Sequence, residues 1–537
     1  MRHKSSKWWV GLLTVLFVLS MFLAACGGGK SGSGGESSPQ GTAQPSGSSE
    51  ASSTPKSEPI TLRVELFDRN NTPAGAEPIT NNYITRYIQE KFGDPNNIKI
   101  EWVTVPRSEE IDKLNVLMAA NQAPDLIFTY NTQVVERYVK DGGLTDLGPY
   151  IEQYGQNLKK VLGDEVLSYG VFEGKQYAVV ARRVILAQTS TFIRQDWLDE
   201  LGLKAPTTTQ EFYDTLVAFK KAHPEAIPWG GQTDYFHMAP LYYSFWEWDK
   251  ITDEDLYAKP DWLQPGHKEA FRFLNKLYNE GLLDKDFPLG IGKDTNQFQK
   301  NFINGLMGVG TTNTNEPVYQ GYLAEFLKNH PNAKLTLIDP FTDARGRTPK
   351  PVYSPNGMYI MVPKASEDKA AAVIKYLDWM AQPENFIVLQ NGIEGETFEW
   401  RDGIPVQLDN DKAKNLLYNY HDYCIILNGK FVDPDNNELN IAANATGEYQ
   451  DFTIASIETG SKDGVVRPRV LTPIESDIKY GTTLKKKQEE DMFVKIVTAK
   501  PQDFDKVYDA EVQDYLKIGG QEVMEEKLAA YKKEYGG

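Results

Sequence analysis

Histidine is the side chain that most readily carries a proton or a metal at neutral pH. This chain has six: His3, His223, His237, His267, His330 and His421. No two stand four apart, so the helical pair that grips zinc is missing. There is no Gly-x-Ser-x-Gly elbow for a serine nucleophile. Paired carboxylates could hydrolyse a glycosidic bond, but among 74 acidic residues such pairs arise by default and decide nothing. Cys424, within Tyr423-Cys424-Ile425-Ile426-Leu427, reads as a buried thiol rather than a nucleophile. Gly308-x-Gly310 lacks the third glycine of a dinucleotide loop. No catalytic residue, metal or cofactor is expected, and the chemistry that remains is that of binding.

The densest carrier of such chemistry is residues 229–248, with eight aromatic side chains in twenty against a chain average of 12%. Core packing accounts for several of them. Gly230, Gly231, Asp234, Glu247 and Asp249 are interleaved, however, so part of the stretch reads as an exposed loop. There Trp246 and Trp248 offer flat apolar faces that suit a pyranose ring. Arg182-Arg183 could pair a uronate carboxylate, the competing reading being a surface or interlobe ion pair.

These residues need elements to place them. Residues 60–67 alternate apolar and polar with the period of a strand, and the polar loop Asp68-Arg69-Asn70-Asn71 follows. Tyr83, Ile84, Tyr87, Ile88 and Phe92 share one helical face, stopped by Gly93. Ile98, Ile100 and Trp102 restart a strand, Ile111, Leu114, Leu117 and Met118 make a helix, and residues 125–128 form a short buried strand ending near Tyr130. This alternation means crossovers on a parallel sheet, and ligands bind beyond the carboxyl ends of such strands. Asp68, Asn70 and Tyr130 are thereby placed at a binding edge. Residues 171–178 form a hairpin about Gly174. A second α/β series begins near Thr191, with a helix ended by glycine at 202 and a threonine-capped helix bearing Phe212, Leu216 and Phe219. Residues 304–310 read as a buried strand leading to the polar loop 311–315. Asn313 in that loop is an amide expected to meet ligand. So is Asn356, in the turn 353–357 ahead of a strand at 358–362. Residues 370–380 form a helix.

Arg2, Lys4 and Lys7 precede an apolar run, 8–23, that is broken only by Gly11, Thr14 and Ser20 and ends in Leu23-Ala24-Ala25-Cys26. This has the form of a bacterial lipobox, in which small residues admit the signal peptidase and the Cys26 thiol takes a lipid. An uncleaved span or a plain secretory peptide shares the basic and apolar regions, but a cysteine at the cut, followed by three glycines, favours lipidation. Residues 1–26 are thus read as a lipoprotein signal peptide. Residues 27–58 contain no leucine, isoleucine, valine or aromatic residue and read as a disordered tether, with a reach of roughly 30 Å by random-coil scaling. More than 470 residues remain, enough for two sizeable lobes. The net charge of −17 falls to about −20 without Arg2, Lys4 and Lys7. Lys485-Lys486-Lys487 runs into Glu489-Glu490-Asp491 and reads as a solvated helix surface, not a nucleic-acid face. Lipidation of Cys26 leaves one cysteine and no internal disulfide.

Residues 194–203 and 206–219, then Tyr278-Asn279-Glu280-Gly281-Leu282-Leu283, then Gly392-Ile393-Glu394-Gly395 with Glu399-Trp400, resemble family 1 extracellular solute-binding lipoproteins in type and order. Within that family the chain is similar to sugar-importer components of firmicutes, from about residue 60 to the C-terminus. The resemblance implies an α/β fold of the two-lobed periplasmic-binding-protein type (class II), each lobe a mixed sheet flanked by helices and joined by a hinge. Lobe 1 would comprise 59–181 plus 352–391, and lobe 2 would comprise 182–351 plus 392–537. It implies a monomer, lipid-anchored on the outer face of the bacterial cytoplasmic membrane, that captures an oligosaccharide and delivers it to an ABC-type permease. Matching motif positions give Tyr130, Trp246 and Trp400 as ring-stacking residues and Glu394 as a hydroxyl acceptor. The chain departs where many long relatives carry a calcium loop: Ala222-His223-Pro224-Glu225-Ala226-Ile227-Pro228 has no run of alternating oxygen ligands, so no calcium is expected there. A surface-anchored polysaccharide-active enzyme, a ligand sensor and a peptide-binding lipoprotein stay open beside the importer component. Replacing Cys26 with alanine is expected to abolish labelling by palmitate and to shift the protein from the membrane fraction to the medium. Retained label would rule Cys26 out as the lipid site.

Overall fold

The computed structural model describes residues 58–291 and 297–536. The leader, Cys26 and the tether lie outside the described residues, apart from Glu58 at the tether's end. Two large hydrophobic cores organise the rest, each built on a mixed sheet.

In the first sheet, Ile60–Asp68 runs parallel to Ile98–Pro106 in register from Ile60↔Ile98 to Asp68↔Pro106. On its other side it meets the approach to Ile127–Thr129, through a parallel bridge from Val64 to Leu126 and a hydrogen bond from the Glu65 amide to the Leu126 carbonyl (3.0 Å). Next come Asn356–Met361, antiparallel to Ile127–Thr129, then Val179–Arg183, antiparallel again, and Leu427–Asn428, parallel to Val179–Arg183. The alternation in 60–67 suggests one wet face, yet Glu65 is fully buried. Its Oε2 accepts the Phe128 N–H at 2.7 Å, and burial pushes its carboxyl well above the usual carboxylate range. Helices cover both faces of a sheet of this kind.

The second sheet has the order Leu335–Ile338, Thr189–Arg194, Met307–Asn313, Ile227–Gly231. Residues 311–313 continue the strand rather than forming the start of a polar loop. The Thr311 hydroxyl is buried against the Thr191 hydroxyl (3.0 Å) and accepts the Trp229 indole N–H (3.2 Å), so these threonines are paired across the sheet. The helix Gln195–Leu201 does end at Gly202 with φ 64°, and the Thr208 hydroxyl caps Thr209–Ala222 by accepting the Glu211 N–H. Gly174, with φ 75°, turns the hairpin of Val171–Phe172 and Lys175–Gln176. Lys485 and Lys486 are solvated as expected, whereas Lys487 is held by Asp491, Glu511 and Asp514 at 2.7–2.8 Å with its side chain only 10% exposed.

Residues 398–431, assigned to the second lobe in the sequence reading, bury Phe398, Leu416, Tyr423, Ile425, Ile426 and Phe431 in the first core. The chain passes between the cores along segments that lie side by side. Ala187 and Val352 form an antiparallel bridge, the Tyr353 amide donates to Leu186, and the Arg183 amide donates to Pro355.

The C-terminal helices fill the second core with Phe493, Ile496, Phe504 and Val512 and also reach the first body. Arg469 donates to the Ser168 and Tyr169 carbonyls at 2.6 Å, and Lys140 pairs with Glu475. Beside these contacts, burial first and Asp477 second push the Glu136 carboxyl up to about 7, against Arg469 and Lys527. Because the folded value is raised, the associated stability is present below the ordinary carboxylate range and is lost as pH rises through about 7. Glu136→Gln is therefore expected to flatten the pH dependence of the melting temperature across that window and to be the more stable form above it. Parallel pH profiles of wild type and variant would show otherwise.

Candidate functional site

Strand polarity decides which residues meet. In the first sheet the carboxyl ends of Ile60–Asp68, Ile98–Pro106, Ile127–Thr129, Val179–Arg183 and Leu427–Asn428 share one rim with the amino end of Asn356–Met361. That rim carries Arg69, Arg107, Tyr130, Arg183, Asn356 and Asn428. In the second sheet Gly231, Asn313 and the amino end at Thr189 share a rim, and the segment 184–188 joins the two rims directly.

Tyr130 is the centre of the first rim. The Arg107 guanidinium lies 5.1 Å from its ring centroid, and the Asn428 amide donates to its hydroxyl at 3.4 Å. Arg107 is held by Glu110 (2.7 Å), a carboxylate that also accepts the Thr129 hydroxyl. Arg69 makes a bidentate pair with buried Asp422 at 2.7 and 2.9 Å. Burial pushes the Tyr130 phenol above its ordinary value, with Asp422 adding and Arg69, Arg183 and Arg107 opposing. Nearby, burial, with Arg69 and Lys430 adding, pulls the His421 imidazole down to about 4, so it is neutral at physiological pH.

Asp68 and Asn70 stand exposed at this rim, where the Asp68 carboxylate accepts the Asn70 N–H (2.9 Å) and Asn70 has φ 52°. Asn356 is half-buried and donates to the Tyr359 hydroxyl at 3.3 Å. On the second rim Asn313 donates to Glu316 (2.7 Å), and Gln232 donates to the same carboxylate (3.1 Å). Tyr319, three residues beyond Glu316, is 57% exposed and within electrostatic reach of Tyr353, which lies on a connection between the cores.

Other expected residues lie elsewhere. Trp246 is only 3% exposed, stacked on Tyr243 at 4.1 Å, with its indole N–H on His267 Nδ1 (3.1 Å). It is core, and no face is left for a sugar. Trp248 is half-buried against the same group and donates to the Tyr243 carbonyl (3.0 Å). Arg182 gives Nη1 to the Val161 carbonyl (2.8 Å) and lies over Phe431, beneath the rim, because consecutive strand residues face opposite sides. Glu394 and Trp400 are exposed near the hairpin Phe398–Arg401 and Ile404–Gln407, and none of their contacts among the described residues joins them to Tyr130. Arg107, Asn428 and Tyr319 were not foreseen. Arg69 had a signal in the loop already singled out, whereas Asn428 becomes a rim residue only through a long-range pairing.

Two mixed sheets with their rims joined by the segment 184–188 make up the α/β architecture of this chain. The family model for bacterial extracellular solute-binding proteins matches residues 77–385, and the chain belongs to that family. Lipoprotein LipO of Bacillus subtilis (strain 168) is 28% identical over 342 residues, 60% of this chain and 65% of that protein. The polygalacturonan/rhamnogalacturonan-binding protein YtcQ of the same organism is 25% identical over 324 residues, 56% of this chain and 61% of that protein. The chain thus spans a little under two thirds of these curated relatives' length. The fold matches alginate-binding protein AlgQ2 without calcium (TM-score 0.61, 19% identity, covering 88% of this chain and 98% of that one). It also matches the Streptococcus pneumoniae substrate-binding protein FusA in complex with kestose (TM-score 0.61, 16% identity, 89% and 99%). The family and these neighbours are binding proteins, not enzymes.

Trp246→Phe is expected to lower stability by about 1–3 kcal/mol through loss of a buried hydrogen bond while leaving ligand affinity unchanged. Reduced affinity at unchanged stability would return Trp246 to the site.

Proposed function

We propose that this protein captures an oligosaccharide between two lobes and delivers it to an ABC-type importer, held at the outer face of a bacterial cytoplasmic membrane by lipid on Cys26. The observation that carries this is the placement of both rims against one pair of connections, 184–188 and 352–355, with phenols at Tyr130, Tyr353 and Tyr319 and amides at Asn356, Asn428 and Asn313. Phenol faces stack on sugar rings and amides bond hydroxyls. We assign the first lobe to the body that includes residues 398–431 and the second to the body that holds the C-terminal helices. Ligand contacts on both rims would shift an open–closed equilibrium toward closed. Capture needs no bond to break, which favours a carrier over an enzyme that acts on the polysaccharide.

A thermal-shift screen of residues 59–537 against neutral and acidic oligosaccharides, with peptides and monosaccharides as controls, tests this. A ligand at 100 times its dissociation constant adds about 2.7 kcal/mol, and small-angle scattering should show a more compact particle. A response to peptides alone would overturn the sugar assignment. Consumption of the responding sugar would replace the carrier with an enzyme.

A further inference from the structure

The cations of the first rim differ in whether their charge is already met. Arg69 has Asp422 and Arg107 has Glu110. Arg183 has no carboxylate within ion-pair distance among the described residues. Its Nε donates to the Asn356 carbonyl (3.3 Å), and its guanidinium lies over the Tyr353 ring, 4.4 Å from the centroid. Nη1 and Nη2 have no partner among the described residues. The side chain is half-buried, and burial pulls its guanidinium below the ordinary value, with Tyr353 and Tyr130 acting the other way.

A cation moved out of water without a counter-ion is destabilising, and folded proteins keep such groups where something else completes them. Here the missing partner is an acceptor with two oxygens, because the free edge of the guanidinium presents two parallel N–H groups. Its surroundings describe the rest of the ligand. Tyr130 and Tyr353 present ring faces, and Asn356 and Asn428 present amides, as a carbohydrate requires. Arg69 and Arg107 are neutralised in place, so of the three guanidinium groups Arg183 alone offers an uncompensated charge. That matches a monoanionic carboxylate better than a doubly charged phosphate.

We propose that Arg183 is the receptor for the carboxylate of a uronic acid residue, so that the captured oligosaccharide is an acidic one. This rests on the oligosaccharide reading given above. Tyr353 lies against the guanidinium and the Asn356 carbonyl holds Nε, which leaves Nη1 and Nη2 for the ligand. The negative charge of the chain as a whole does not oppose this, since exposed charges beyond a Debye length of about 8 Å are screened.

The test is titration calorimetry with uronate-bearing oligosaccharides (galacturonate, mannuronate/guluronate and glucuronoxylan series), their methyl esters, neutral and sulfated counterparts, on wild type, Arg183→Gln and Arg183→Lys. A uronate oligomer should bind best. Arg183→Gln should weaken it roughly 10- to 100-fold, the range expected for charge-assisted hydrogen bonds. Methyl esterification should cause a similar loss in wild type and no further loss in Arg183→Gln, and Arg183→Lys should recover only part of the affinity. The melting temperature of the ligand-free variant should be unchanged or higher, because an unmet charge has been removed. A lower melting temperature would mark Arg183 as a structural cation and overturn the proposal. So would a best ligand that is neutral or sulfated, or a uronate whose affinity is indifferent to Arg183→Gln. Those results leave the oligosaccharide reading intact, whereas binding to no carbohydrate would end both.

Discussion

The insertion of Val179–Arg183 between Asn356–Met361 and Leu427–Asn428 is the constraint on which the rest depends. Its partners return from far along the chain, after the whole second sheet has been laid down. Because Val179–Arg183 runs parallel to Ile127–Thr129 across the intervening strand, the chain leaves the first body at the rim that carries Tyr130. It must come back to the same rim to supply Asn356. The second sheet is entered at Thr189 and left at Ile338, which the antiparallel register sets opposite Thr191 toward the same rim. Topology alone thus brings both rims to the same pair of connections, at the cost of closing long loops before their contacts form.

Electrostatics at that junction is local. The chain has a net charge of −17, yet the groups around Tyr130 are guanidinium groups, fixed by carboxylates that lie deeper, such as Asp422 and Glu110, both nearly inaccessible to solvent. Placing the anions beneath and the cations above orients each pair without covering its outer edge. Lys430 departs from the pattern: it is buried, its ammonium donates to the Asn391 side-chain amide oxygen at 3.0 Å, and burial pulls it down to about 8. Arg69 and Arg107 at the rim are held by buried carboxylates, a pairing that composition cannot report.

Much of the fold was legible because local signals were strong. Alternation marked Ile60–Asp68, threonine at 208 marked a helix start, glycine at 202 marked a helix end, and Ala370–Met380 is helical as read. The site was less legible. Arg182 and Arg183 are indistinguishable by type, and a period of two sends one under the rim and the other onto it. Trp246 sat in a stretch that looked half exposed because of its interleaved glycines and acids. Its burial depends on His267, which comes from a later helix and packs against it and Tyr242, while Trp262 and Phe271 extend the same aromatic group through Tyr235. Asp68, Asn70 and Tyr130 were placed at an edge correctly because they sit at strand ends whose direction the chain order already fixes.

Cys424 lies at the bottom of the first core, fully inaccessible and unpaired, where burial pushes its thiol far from the ionised form. Among the described residues no cross-link supports either body. The free energy of the folded state therefore comes from non-covalent contacts and does not draw on a cross-link between the described residues. A chain built this way needs no oxidant or isomerase to mature.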